Sequence, residues 1–253
     1  MADLFGYDKV QVAIERLRTF EPPEGYYLAY GGGKDSTVLL ELARRSGVKF
    51  EVHYHNVTIE PPELVEFARS TPGVIVDRPP KTFFQLLPVK GFPLRHRRWC
   101  CTAMKENNGI GRVVLLGVRW EESMRRRGRK MVEICDKGRG KRMVSPIIDW
   151  TSYDVWTFIR REGLPYCKLY DEGFKRLGCI ACPMQSAAQR RMGLKRWPKF
   201  EPAFRLAFRK LVENRMAAGT WDAKRWPSGD ACFDWWVSNV PIHQKSQEWF
   251  DFD

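Results

Sequence analysis

Three consecutive glycines, Gly31-Gly32-Gly33, separate an apolar β-prone run, Tyr26-Tyr27-Leu28-Ala29-Tyr30, from a helix-prone segment over 36–45. Strand, glycine loop and helix in that order open a βα unit. Glycine lets the backbone approach a ligand closely and adopt positive φ. The helix start that follows offers free N–H groups and a partial positive charge to an anion. Lys34 can neutralise phosphate charge there, and Ser36 and Thr37 can donate from their hydroxyls. Asp35 stands between the lysine and the serine, so the loop is not a Walker sequence. Asp35-Ser36 also occupy the places where Gly-x-Gly-x-x-Gly would continue.

The alternation persists downstream. Residues 50–55 read as a strand, 62–70 as a helix, 73–76 as a strand, 82–87 as a short helix and 113–118 as a fourth strand. Strands alternating with helices, without hairpin signals, predict a parallel sheet covered on both faces. Upstream, Val10, Ala13, Ile14 and Leu17 share one face of an amphipathic helix. After Trp120 the chain becomes dense in Arg, Lys and Gly, with 131–135 the strand-like part. A helix over 151–161 takes Thr151 as its cap. From residue 185 the chain reads as helical, over 187–194, 202–218 and 231–238. The expectation is an α/β nucleotide-binding domain over 1–165 and a helical C-terminal region over 166–253 carrying the second pair of a four-cysteine set.

Charge bears on partners. The chain of 253 residues carries 43 Lys and Arg against 30 Asp and Glu, a formal +13. That excess predicts polyanionic partners, nucleic acid or nucleotides, against the alternative of a basic surface serving solubility. At 43% hydrophobic residues, intrinsic disorder is excluded as a class. No apolar run approaches the ~20 residues of a membrane span, and Met1 to Val10 lack the basic and apolar regions of a signal peptide. A cytoplasmic protein without membrane contact is expected.

Seven cysteines are too few for a secreted disulfide scaffold, and in a reducing compartment they read as metal ligands, reactive thiols or core residues. Cys100-Cys101 and Cys179-x-x-Cys182 are the sharpest pattern. Adjacent cysteines normally point apart, which suits a cluster spanning more space than one Zn²⁺, and all-thiolate ligation is the rule for [4Fe–4S] centres. Structural zinc and unligated thiols remain as alternatives. Cys135 and Cys167 read as packed, and Cys232 falls in the last predicted helix. Trp197, Trp221, Trp226, Trp235 and Trp236 offer either stacking surfaces for bases or ordinary helix-core packing.

Residues 29–38, Ala-Tyr-Gly-Gly-Gly-Lys-Asp-Ser-Thr-Val, resemble the Ser-Gly-Gly-x-Asp-Ser pyrophosphate loop of the adenine-nucleotide α-hydrolase-like enzymes. More specifically they resemble the phosphoadenylyl-sulfate (PAPS) reductase family, with Gly31 where that family usually has serine. Residues 56–63 resemble its Asp-Thr-Gly-x-x-x-Pro-Glu segment, with Asn56 and Thr58 as departures. Residues 117–126 resemble Gly-x-Arg-x-x-Glu-Ser-x-x-Arg. The four cysteines resemble the cluster set of adenylyl-sulfate (APS) reductases and their DNA-modifying relatives. The likeness spans roughly residues 25 to 185.

The resemblance implies a Rossmann-like parallel sheet flanked by helices, with a helical C-terminal part. It also implies an adenine nucleotide, ATP or APS/PAPS, with Mg²⁺ beside its phosphates. The binding set is Tyr30, Gly31, Gly32, Gly33, Lys34, Asp35, Ser36, Thr37, Asn56, Gly117, Arg119 and Ser123. Lys34, Asp35, Arg119 and Arg126 carry the chemistry, the two arginines through forked hydrogen bonds to phosphate or sulfate oxygens. A [4Fe–4S] cluster falls to Cys100, Cys101, Cys179 and Cys182, with Lys105 linking the cluster region to substrate.

Reductases of this kind carry a nucleophilic cysteine in a Glu-Cys-Gly-x-His setting. The residues 247–253 lack it, and Cys232 has neither the glycine nor the histidine. The expected function is therefore an ATP pyrophosphatase that activates DNA or RNA for sulfur transfer, with a sulfur-donor protein such as a cysteine desulfurase. A sulfonucleotide reductase and a non-catalytic nucleic-acid-binding module are the alternatives.

Overall fold

The computed structural model describes residues 8–106, 108–134, 140–224 and 226–238. In chain order it comprises α1 (Lys9–Thr19), β1 (Tyr26–Ala29), α2 (Lys34–Ser46), β2 (Phe50–His55), α3 (Pro62–Ser70) and β3 (Val74–Asp77). Next come α4 (Phe83–Lys90), α5 (Trp99–Cys101) with a π-helix over Thr102–Glu106, β4 (Val113–Leu115) and α6 (Met124–Arg127). β5 (Val132–Ile134), β6 (Arg142–Val144), α7 (Ser152–Arg161), α8 (Ala187–Arg196), α9 (Phe200–Ala217) and α10 (Gly229–Ser238) complete it.

Two compact units emerge, each drawn from three stretches of chain. The described residues within Met1–Asn56, Pro62–Arg78 and Asn107–Gly178 form the first; those within Val57–Pro61, Pro79–Glu106 and Cys179–Asp253 form the second.

In the first unit the sheet runs β3-β2-β1-β4-β6-β5. Pairings among β1, β2, β3, β4 and β6 are parallel, with Leu28 opposite both Val52 and Leu115. The sheet is thus mostly parallel, as expected, with one addition. β5 pairs antiparallel with β6, Val132 opposite Val144, as an edge strand on an otherwise parallel sheet. β6 itself gives no strand signal, because it is three residues long and begins with an arginine inside a basic stretch. Tyr26, Leu28, Val52, Tyr54, Leu115 and Val144 bury one face of the sheet in a core shared with α1, α2 and α7. Burying each large apolar side chain is worth about 1.5–3 kcal/mol.

α2 follows β1 through the glycine loop. Gly33 is its N-cap and Gly47, in the left-handed region at φ 74°, ends it. Its core face presents Val38, Leu39, Leu42 and Ala43, and Arg44 and Arg45 lie at the negative end of the dipole. α7 starts on the expected Thr151 cap, where Thr151 and Asp154 form a reciprocal capping box and Lys9 holds Asp154 at 2.6 Å.

Aromatic rings build the second unit. α4, opened by a Thr82/Gln85 capping box, contributes Phe83 and Phe84, which meet Phe204 of α9 edge-on at 5.8 and 5.1 Å. Phe204 and Phe208 pack on Phe233 and Trp236 of α10. Trp197 and Trp236 are buried, and Trp226 meets Trp235 at 4.6 Å, so these tryptophans are packing residues. Trp221 donates its indole N–H to the Trp226 carbonyl. Cys135, residues 137–139 of the basic run and residues 247–253 lie outside the described residues. Among the described residues no helix is long and apolar enough to cross a membrane.

Candidate nucleotide loop and candidate four-cysteine site

The glycine loop lies at the carboxyl end of β1, where open α/β sheets bind ligands. Gly32 takes φ 67°, and a Cβ there would lie 2.7 Å from Leu64 Cδ1, so this position demands glycine twice over. The loop is braced from within: the Gly31 N–H donates to Ser36 Oγ at 3.2 Å, and that hydroxyl donates to the Gly33 carbonyl at 2.9 Å. Ser36 thus shapes the loop. Thr37 Oγ1 lies 3.3 Å from the Tyr30 hydroxyl, which also meets Thr71 Oγ1, so both side chains are turned into the unit. What Gly31, Gly32 and Tyr30 leave to a ligand is backbone.

Asp35 organises the charges. Lys34 Nζ reaches one carboxylate oxygen at 3.0 Å, and Arg119 Nε reaches the other at 2.7 Å. Arg119 is 3% exposed and also meets Glu121 at 2.9 Å and the Trp150 carbonyl at 3.1 Å. The structure therefore places Arg119 as an internal tie between β4's carboxyl end and the loop. Arg119→Ala strips the inner partner from Asp35 and is expected to destabilise the fold by about 2 kcal/mol, read as a lowered urea midpoint at unchanged slope. An unmoved midpoint would refute the tie.

Gly117 comes to the loop by close approach, since a Cβ there would lie 3.0 Å from the Asp35 carbonyl carbon. Asn56 follows β2, its N–H donating to the Asp77 carbonyl at 3.0 Å. Ser123 is the N-cap of α6, its hydroxyl oxygen accepting from the Arg126 N–H at 3.3 Å and its proton still available to donate. Arg126 pairs with Glu122. The sequence reading missed Tyr170, whose hydroxyl accepts from the Lys34 N–H at 2.9 Å across 136 positions.

The second unit holds all four cysteines of the pattern. Cys100 and Cys101 sit on α5, which runs into the π-helix, a rare form found often at functional sites. Cys179 and Cys182 bracket a turn in which Ala181 takes φ 54°. The turn is pinned by Ile180 N–H to the Ile59 carbonyl at 2.8 Å. Buried Arg190 of α8 donates to the carbonyls of Cys182, Pro183 and Trp236 and stacks on the Trp236 ring.

The thiols act on one another. A hydrogen bond from Cys100 to the Cys101 sulfur raises the pKa of the first and lowers that of the second. Arg98, 3.6 Å from Cys101 Sγ, and Lys105 help lower Cys101. Burial pushes Cys179 and Cys182 up. The charges of Cys101, Cys179 and Cys182 add to the upward push on Cys100. Lys105 pairs with the buried carboxylate of Glu60 at 2.7 Å.

Among the described residues, no three His, Cys, Asp or Glu side chains are disposed to hold a metal ion. A mononuclear zinc site needs its donors about 2.3 Å from a single point. The donor set, four cysteines, is one that an iron–sulfur cluster uses and that structural zinc uses as well. Cys100, Cys179 and Cys182, whose pKa values are raised, become thiolates beside a strong positive centre, so the chemistry of the set is compatible with a [4Fe–4S] group.

Together, the parallel sheet and its glycine loop define an α/β protein of the adenine-nucleotide α-hydrolase-like class. The chain belongs to the phosphoadenosine phosphosulfate reductase domain family, which it matches over residues 25–185. It is 28% identical to an uncharacterised Methanocaldococcus jannaschii protein, over 79% of this chain and 45% of that one. It is 35% identical to the adenosine 5′-phosphosulfate reductase of Neisseria meningitidis serogroup B, over 40% of this chain and 43% of the enzyme. The chain thus spans under half the length of these curated relatives. Its fold matches the crystal structure of the phosphoadenylyl-sulfate reductase of Candida auris in a phosphate complex, with TM-score 0.52 and 18% identity over 66% of this chain and 87% of that one.

Proposed function

We propose that this chain is an ATP pyrophosphatase of the family that activates a nucleic-acid oxygen for replacement by sulfur. The observation supporting the reading is the loop itself: after β1 three glycines lead directly into a helix start that carries Lys34, the local arrangement that suits an anion. An acceptor oxygen attacks the α-phosphorus of ATP, the bond to the β-phosphate breaks and pyrophosphate leaves. Sulfide brought by a donor protein then attacks the activated centre, and AMP leaves with the former acceptor oxygen. Lys34 and the loop amides would stabilise the charge growing on the phosphates, and Mg²⁺ would supply further positive charge to them.

Lys34 meets the nucleotide by leaving Asp35, whose charge Arg119 continues to balance. Arg126 and Ser123 lie on the same stretch as Arg119 and are assigned to the far phosphates or the acceptor. Asn56 is assigned to the nucleoside end. Cys100, Cys101, Cys179 and Cys182 would hold the [4Fe–4S] group, which supplies a sulfide-binding or electron-carrying centre when present. The formal +13 suits a polyanionic acceptor, and exposed Arg125 and Arg127 beside Trp120 offer it phosphate contacts.

The test incubates anaerobically purified protein with ATP and Mg²⁺, with and without DNA or RNA, and measures AMP and pyrophosphate. Release that depends on the nucleic acid is expected; equal release without it would overturn the acceptor assignment. A second reading, APS or PAPS reduction, is favoured by the 35% identity to the Neisseria enzyme. Sulfite formed from APS with reduced thioredoxin would select it.

A further inference from the structure

Tyr170 belongs to no pattern that the glycine loop presents in sequence, yet its hydroxyl touches the loop. The phenol oxygen accepts the Lys34 N–H at 2.9 Å. That N–H is the first of the amides a helix start leaves without an intrahelical partner. Gly33, at φ −86°, has no backbone need to be glycine, but a Cβ there would lie 3.3 Å from the Tyr170 oxygen. The third glycine therefore makes room for the phenol.

The ring is held firmly. Trp156 of α7 meets it edge-on at 5.1 Å and Tyr166 lies 6.5 Å away, with buried Cys167 and Leu169 anchoring the turn beneath. Burial raises the Tyr170 pKa, so the group keeps its proton across the physiological range. Having accepted from Lys34, the hydroxyl still has that proton to give, and among the described residues nothing accepts it.

We infer that Tyr170 is part of the anion site, converting the Lys34 amide into an O–H donor aimed at a phosphate oxygen. This rests on the loop being a phosphate site. The hydrogen bond from Lys34 polarises the phenol and strengthens its own donation. A fixed ring delivers that donor without the entropy cost of ordering a longer side chain. The ligand chemistry is a phosphoryl group, alone or within a nucleotide.

The experiment titrates wild type and Tyr170→Phe with ATP and, separately, with inorganic pyrophosphate, both with Mg²⁺, and follows heat. Phenylalanine keeps the ring against Trp156 and removes only the donor. Both ligands should bind about tenfold more weakly to the variant, the size of one hydrogen bond to a charged group. Equal or tighter binding would overturn the inference, tighter binding marking the phenol as an obstruction.

Wild type binding pyrophosphate but not ATP would sink the ATP reading while leaving this comparison intact. Binding of neither would end both. Should Tyr170→Phe fail to fold, wild type labelled with ¹⁵N-lysine provides the second readout. Pyrophosphate should then move the Lys34 amide resonance downfield, as the chain N–H to O–H to phosphate polarises; an unmoved resonance would refute the assignment.

Discussion

Iron and acid-labile sulfide are expected to vanish from the anaerobically purified protein when Cys179 is replaced by serine, along with the visible absorption they cause. A serine hydroxyl remains protonated where a thiol would surrender its proton to iron, and burial at this position disfavours an anion further. The fold should survive, because the turn around Cys179 is held by other groups: the Ile180 amide on Ile59, and Arg190 on the carbonyls of Cys182 and Pro183. Cys232→Ser is the control. That thiol lies fully buried in α10, away from the pattern, and its loss should lower stability while leaving iron content unchanged. A Cys179→Ser protein retaining wild-type iron and sulfide, or a wild type carrying one zinc per chain, would sink the four-thiolate assignment.

Lys34→Ala should slow nucleotide turnover by about 100-fold, the scale on which a single charge-stabilising donor acts. Folding should suffer by no more than about 1 kcal/mol. The asymmetry comes from Asp35. With Lys34 gone, its carboxylate still meets Arg119 Nε at 2.7 Å, so no carboxylate is left without a cation. Pyrophosphate release and thermal midpoint, measured on the same preparation, separate the two effects. A midpoint falling sharply while turnover holds would assign Lys34 to structure alone.

The loop was legible because everything that makes it is local: an apolar strand, three glycines, a helix start. The third glycine was legible as a glycine but not for its reason, since Tyr170 lies 136 positions away. Arg119 illustrates a different limit. Its position after a strand was readable, whereas its partners depend on where the loop's Asp35 ends up, 84 positions earlier. Short strands fail for want of period: β6 has three residues, too few to show alternation, and with it went the antiparallel edge. In the second unit the cysteine pairs were visible as spacing and as likeness. Glu60, Arg98 and Arg190 were not, because an isolated charged residue carries no sign of what it will touch.

The π-helix from Thr102 to Glu106 constrains how this family member can drift. Each residue added to or removed from a helical path turns everything after it by about 100°. A one-codon deletion here would swing Lys105 away from the Glu60 carboxylate while sparing Cys100 and Cys101, which precede it. Substitutions along that segment are open to evolution in a way that changes of length are not.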